Sequence, residues 1–212
     1  MKIPKNVIQR LTQYHFIIDG LNAKEEYISS THFAKLLGID NSQVRKDLSY
    51  LGNSGKCRVG YKVQELKTSI ENKLGFYKPH DAFIVGAGNL GSALAKYSAF
   101  KDYGLNILAM FDTDPVKIGS YINGKEVFDI AKIASLVGRL QVDMVILTVP
   151  KEQADIMANY LAGAGVKYIW NFTPCVLNVP AHIKVWNENL IGSFLQLTND
   201  DGIKEKEEHD RN

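Results

Sequence analysis

Apolar residues open this chain at helical spacing. Ile3, Val7, Ile8, Leu11, Tyr14 and Ile18 follow Pro4 or flank it and predict one amphipathic helix. Leu21 to Tyr27 forms a polar break. Ser30 is then expected to cap a short helix, Thr31–Leu37, closed by Gly38 in a left-handed conformation. Asp40 and Gln43 have the spacing of a capping box that opens a third helix over Asn41–Leu51. Val44, Leu48 and Leu51 make its inward stripe. Ser42, Arg45, Lys46, Ser49 and Tyr50 fall away from that stripe, with Gln43 beside them.

Two short helices around a glycine turn, the second polar and basic outside, match the helix-turn-helix, whose second helix enters the major groove of DNA. Gly52, Gly55 and Gly60 punctuate the next stretch, GNSGKCRVGYKV, and predict a β-hairpin carrying Lys56 and Arg58. A basic hairpin there is a wing, able to reach the minor groove. Ser42, Gln43, Arg45, Lys46, Ser49, Tyr50, Lys56 and Arg58 are therefore the candidate contacts to duplex DNA. Leu66, Ile70 and Leu74 define one more helix, ended by Gly75, and FYKPH (76–80) is the expected linker.

From residue 81 the pattern changes. Ala82–Val85 is a short apolar strand, followed by Gly86-Ala87-Gly88-Asn89-Leu90-Gly91 and a helical stretch, Leu90–Phe100. A second strand, Leu105–Phe111, ends in Asp112. A GxGxxG between strand and helix, with an acid about 20 residues on, is the dinucleotide-binding fingerprint. Gly86 makes the tight turn, Gly88 admits the pyrophosphate, Gly91 lets helix and strand approach, and the helix N-terminus favours the anion. Asp112 would accept from the adenosine ribose hydroxyls. Thr113, Asp114 and Pro115 follow it, so no cation is expected nearby to receive a 2′-phosphate. The expected ligands are NADH and NAD+.

Further strands are predicted at Val142–Val149, Tyr168–Trp170 and Ile183–Trp186, with a helix over Lys151–Ala162. Ligands of open α/β sheets bind in loops after the strands, which nominates Thr148, Val149, Pro150, Asn171 and Phe172 for the nicotinamide side. Glu188–Leu197 forms a last helix with exposed apolar residues. The charged tail from Asn199 is expected to be disordered. The fold class is thus α/β: an N-terminal winged helix-turn-helix domain (1–80) and a Rossmann domain (81–186).

Charge sharpens the division. Residues 1–80 carry 13 Lys and Arg against 7 Asp and Glu, and residues 81–212 carry 12 against 16. A basic front on an acidic remainder favours a polyanionic partner for the front. No apolar run reaches the length of a membrane span, and the N-terminus lacks a signal peptide's apolar stretch, so a cytoplasmic location without membrane contact is expected. Cys57 and Cys175 have no metal-ligand spacing, and no metal is expected. An oxidoreductase or a scaffold without DNA binding are the alternatives. For the first, no catalytic Tyr-x-x-x-Lys pair is identified, and past residue 81 the histidines are His182 and His209. The chain is not expected to be an enzyme.

These strings, in order, resemble one family over nearly the whole chain: the Rex redox-sensing repressors. The resemblance is carried by Ile3-Pro4 with Arg10-Leu11, SQVRKDLSYLG (42–52), VGY (59–61), GAGNLGSALAKY (86–97), FDTDPVKIG (111–119), ILTVP (146–150) and NFTPCVLNVP (171–180). It implies a homodimer that exchanges its C-terminal helix (187–198), and NADH-driven release from inverted-repeat operators. It also implies that Tyr97 sits near the nicotinamide and the dimer interface, with Leu190, Ile191, Phe194 and Leu195 on the exchanged helix. Three departures stand out. Cys57 precedes Arg58 in the wing, Phe16 replaces a frequent Arg, and Asn189 replaces a frequent Asp. Loss of the last two charges together is expected to weaken or rewire the coupling between nucleotide and DNA.

Overall fold

The computed structural model describes residues 3–52, 55 and 59–199. The chain divides into two units, Met1–Lys78 and Pro79–Asn212.

In the first unit, α1 (Lys5–Asp19) starts after Pro4, whose fixed φ suits a helix entrance. Helix α2 (Ser30–Leu37) is capped by Ser29 rather than Ser30: the Ser29 hydroxyl accepts the His32 N–H at 3.1 Å. It stops at Gly38, φ 63°, a conformation that favours glycine. Helix α3 (Asn41–Ser49) is shorter than expected, ending before Leu51. Asp40 caps it by accepting the Ser42 N–H at 2.6 Å, but no reciprocal capping box forms, because the Gln43 amide turns inward. Helix α4 (Val63–Leu74) ends at left-handed Gly75. Leu11, Tyr14, Phe33, Val44, Leu48, Leu66 and Ile70 build one buried core between these helices.

Of the expected hairpin, the second strand is described, and it has a partner from outside the hairpin segment. Strand β2 (Tyr61–Lys62) pairs antiparallel with β1 (Tyr27–Ile28), drawn from the end of the segment that its polar residues mark as a break. Lys56, Cys57 and Arg58, the expected wing tip, lie outside the described residues.

The second unit is a seven-stranded sheet. Its strands are β3 (His80–Val85), β4 (Leu105–Asp112), β5 (Tyr121–Ile122), β6 (Lys125–Asp129), β7 (Met144–Leu147), β8 (Tyr168–Asn171) and β9 (Lys184–Asn187). Their order is β5-β6-β4-β3-β7-β8-β9, all pairs parallel except β5 with β6. With β5 set aside, this is the doubly wound dinucleotide-binding order, reversing direction between β3 and β7. Helices cover both faces, so the central strands are apolar on both. Phe83 and Val85 point into one core with Phe111 and Leu147, while Ile84 enters another with Met110 and Ile146.

Helix α5 (Asn89–Lys96) is shorter than expected: Tyr97 is extended at ψ 99°, and a separate 3-10 turn, Ser98–Tyr103, follows. Helices α6 (Ile133–Leu140), α7 (Lys151–Gly163) and α8 (Leu190–Asn199) complete the unit. Asn199, expected to open the disordered tail, instead ends α8, and the rest of that tail lies outside the described residues. Among the described residues no helix is long and apolar enough to cross a membrane.

Candidate nucleotide and DNA-binding sites

A cavity of about 500 Å³ opens where the strand order reverses, a size suited to a nucleotide. Of the expected cofactor residues, Gly86, Gly88, Leu90, Asp112, Thr148, Val149, Pro150 and Phe172 line it together. The backbone explains the glycines. Gly86 has φ 102°, and a Cβ there would stand 2.8 Å from the Thr148 carbonyl oxygen. A Cβ on Gly91 would collide with the Gly86 carbonyl, whereas one on Gly88 would project into open space. Gly88 therefore leaves room for a ligand, and Gly91 leaves room only for the strand. The Thr148 hydroxyl donates to the Gly86 carbonyl at 2.8 Å, tying the loop after β7 to the glycine loop.

The start of α5 suits an anion. Gly88 precedes it with no side chain capping the first turn, so backbone N–H groups at the cavity edge are available to a pyrophosphate. The residues thus fit a dinucleotide: an uncapped helix end, a cradle without side chains, and an acid on the neighbouring strand.

That acid is heavily engaged. Asp112 Oδ2 accepts from the Ala87 N–H at 2.7 Å and from Lys117 Nζ at 3.1 Å, and Oδ1 accepts from the Asp114 N–H at 2.9 Å. Burial alone would raise the Asp112 pKa, but these donors outweigh it and hold the carboxyl below its ordinary value. The expectation that no cation stands near Asp112 is corrected here. The chain turns back after Asp114, whose carbonyl accepts the Lys117 N–H at 3.0 Å, and delivers Lys117 to the cavity wall.

Five expected cofactor residues lie outside the cavity wall. Ala87 uses its N–H on Asp112, and Gly91 packs under the glycine loop. Asn89 opens α5 without lining the cavity. The Asn171 side chain is fully buried, donating to the Cys175 carbonyl and to Asn187 Oδ1 at 2.8 Å and accepting from Thr173, so it fixes the loop beside the cavity. Tyr97 is exposed and also outside the cavity wall; its ring meets Phe100 edge-on at 4.9 Å. Phe100 leads through Trp170 to Phe172, which does line the cavity. Gln153, Met157, Ile130 and Pro174 also line the wall and carry no local motif.

The spacing Tyr-x-x-x-Lys does occur, at Tyr97–Lys101 and Tyr121–Lys125. Neither pair shares a helix turn: Lys101 lies beyond the break at Tyr97, and Tyr121–Lys125 spans the turn from β5 to β6. Neither pair lines the cavity. No metal-binding cluster occurs among the described residues.

In the first unit, Ser42, Arg45, Lys46 and Ser49 are exposed on α3. Tyr50 is half-buried against the helical core. Gln43 donates through Nε2 to Asp47 Oδ1 at 2.8 Å, which turns its amide inward. Asp47, absent from the expected site, is completely buried. Arg10 grips it with Nε and Nη2 at 2.5 and 2.8 Å, and Tyr14 donates its hydroxyl at 2.8 Å. The signal was present in the sequence, since Asp47 follows Val44 by three positions and sits on the inward stripe. Burial opposes ionisation of Asp47, yet Arg10, Tyr14 and Gln43 keep its pKa below the ordinary value.

A helix-turn-helix followed by a doubly wound unit with a glycine-loop cavity defines the class of nucleotide-responsive DNA-binding proteins. Two family models match within it: one described as "Putative DNA-binding protein N-terminus" over residues 2–49, and one described as "CoA binding domain" over residues 77–175. The redox-sensing transcriptional repressor Rex of Porphyromonas gingivalis is 39% identical over 199 residues, covering 93% of this chain and 91% of its own. That of Clostridium beijerinckii is 40% identical over 192 residues, covering 90% and 91%. RSP, a Rex-family repressor of known crystal structure, is 33% identical with TM-score 0.87, the match covering 100% of both chains. RSP has been crystallised with NADH, and with NAD+ and operator DNA. The chain belongs to the Rex family of redox-sensing transcriptional repressors.

Proposed function

We propose that this protein is a cytoplasmic, homodimeric transcriptional repressor that binds inverted-repeat operator DNA and responds to the NADH/NAD+ ratio, NADH favouring release. The observation that carries this reading is the meeting of Gly86, Gly88, Asp112 and Thr148 in one cavity, in a chain whose α3 turns Arg45 and Lys46 outward. The dinucleotide acts as a signal and undergoes no turnover. Its pyrophosphate rests on the N-terminus of α5, the adenosine ribose faces Asp112, and the nicotinamide side faces Thr148–Pro150 and Phe172. Arg45, Lys46, Ser42 and Ser49 contact DNA, together with Lys56 and Arg58, which the sequence pattern assigns to a wing.

Dimerisation uses α8, whose Leu190, Ile191, Phe194 and Leu195 are 50 to 61% exposed. Such a stripe on one helix is a partner surface, which exchange between protomers would bury. NADH that binds the closed dimer better shifts the population toward it and re-spaces the two α3 helices. Reciprocity then requires DNA to weaken NADH binding equally.

The coupling is weakened or differently wired in this chain, where Phe16 and Asn189 are both neutral. Asn189 Oδ1 accepts the Gly192 N–H at 2.8 Å and so caps the start of α8, a neutral local task. The test is anisotropy of an inverted-repeat duplex at fixed salt, titrated with NADH and then NAD+. Specific binding with a shallow NADH response supports the reading. Complete release at low NADH refutes the altered coupling, and absence of specific binding refutes the repressor.

A further inference from the structure

At the proposed ribose end of the cavity one cation stands within ion-pair reach of two carboxylates. Lys117 Nζ lies 3.1 Å from Asp112 Oδ2 and 3.7 Å from Asp114 Oδ2, and all three residues line the cavity. Lys117 has 39% of its side chain exposed, so the ammonium stays reachable from the cavity.

Counting donors and acceptors shows what this arrangement can hold. A carboxylate offers about four acceptor positions. Asp112 has spent three of them, on the N–H groups of Ala87 and Asp114 and on Lys117. One position, on Oδ1, is left for a ribose hydroxyl. An ammonium has about three donors; one on Lys117 is bonded to Asp112, while Asp114 at 3.7 Å is an ion-pair partner only, so donors remain for a ribose oxygen.

A 2′-phosphate meets a different balance. It brings a dianion against two carboxylates, and Lys117, the one cation lining the cavity among the described residues, is already shared between them. Like charges at such separations repel strongly when partly shielded from water.

Resting on the proposed NADH site, we infer that Asp114 and Lys117 set the nucleotide specificity of this chain: Lys117 is a latent phosphate anchor, held occupied by Asp112 and by Asp114. Asp112 alone does not suffice, because Lys117 compensates its charge. Asp114 supplies the excess negative charge that excludes NADPH.

The test is calorimetric titration of the full-length protein and its variants with NADH and with NADPH. Asp114→Asn removes the charge while keeping an oxygen for the Val116 N–H, which Asp114 Oδ1 accepts at 2.9 Å. Asp114→Asn should raise NADPH affinity about tenfold and leave NADH affinity within about threefold, the scale of one close charge at the effective dielectric of a protein surface. Lys117→Met should weaken NADH several-fold, and adding it to Asp114→Asn should abolish the NADPH gain. An NADPH-to-NADH ratio unmoved by Asp114→Asn, or a gain that survives Lys117→Met, overturns the inference while NADH binding by the wild-type chain leaves the parent reading intact. Absence of NADH binding by the wild-type chain overturns both.

Discussion

Arg10 on α1 and Asp47 on α3, separated by 37 positions, form a two-pronged ion pair directly behind the helix that presents Arg45 and Lys46. Tyr14 and Gln43 fill the remaining acceptor positions of the carboxylate. The outward face of α3 is thus aimed by a polar cluster on its inward face. A bidentate Arg–carboxylate pair fixes direction as well as distance, which an apolar contact does not.

Removing one partner should therefore be costly. Asp47→Ala leaves the Arg10 guanidinium without its acceptor and should destabilise the first unit by about 3–5 kcal/mol. Replacing the cluster with Arg10→Met, Tyr14→Phe and Asp47→Leu together should cost far less. Urea unfolding of both variants, followed by circular dichroism, checks the difference. An equally stable Asp47→Ala chain would show that the pair contributes little.

The same carboxylate makes stability depend on acid. Its pKa is lowered by folding, so its contribution is complete above the unfolded value of about 3.9 and is lost as pH falls through the folded value. The urea midpoint should fall between pH 5 and pH 3, and less steeply in the triple variant. A parallel fall in both would assign the acid loss to other carboxylates.

Gly88 and Gly91 should separate folding from binding. Gly88→Ala places a methyl in open space where the pyrophosphate is proposed to sit. It should leave the thermal midpoint unchanged and weaken NADH at least tenfold, about 1.4 kcal/mol. Gly91→Ala forces β3 and α5 apart and should lower the midpoint as well. If Gly88→Ala binds NADH normally, the pyrophosphate lies elsewhere.

Arg45 and Lys46 are exposed and make no contribution to the core, so alanine there should not change stability. Operator affinity should drop. For a phosphate contact, the slope of log K against log salt should shrink by about 1; for a base contact, discrimination at one position should fall by about 1–3 kcal/mol. Anisotropy across a salt series distinguishes the two, and unchanged affinity would remove α3 from the interface.

Phe194 is 60% exposed on α8. Phe194→Asp should leave the doubly wound unit folded while shifting the protein to monomer in analytical ultracentrifugation. A dimer that persists would place the interface on another surface.

The local pattern was sufficient for much of this molecule. Period and caps located α1 to α4, Gly38 and Gly75 ended their helices, and the glycine string with Asp112 marked the cavity, because each depends on residues close in sequence. What lay beyond was decided by distance. Strand β1 is two residues long and gains its partner only when Tyr61–Lys62 lies beside it, so no local period announces it. Strands β5 and β6 and helix α6 likewise went unpredicted in the stretch after Asp112.

Asp47 sits on an apolar stripe where charge is forbidden unless compensated, and only the fold supplies Arg10 and Tyr14 to compensate it. Asn171 resembles a ligand residue until β8, β9 and the loop to Cys175 close around its amide. Lys117 is five positions past Asp112, too far to matter in an extended chain and within 3.1 Å once the backbone turns. Sequence alone determined the two-domain architecture and the glycine cradle, since backbone conformation and hydrophobic period are local properties. Tertiary structure decided the charge environment of the site, since electrostatic energy depends on separation in space.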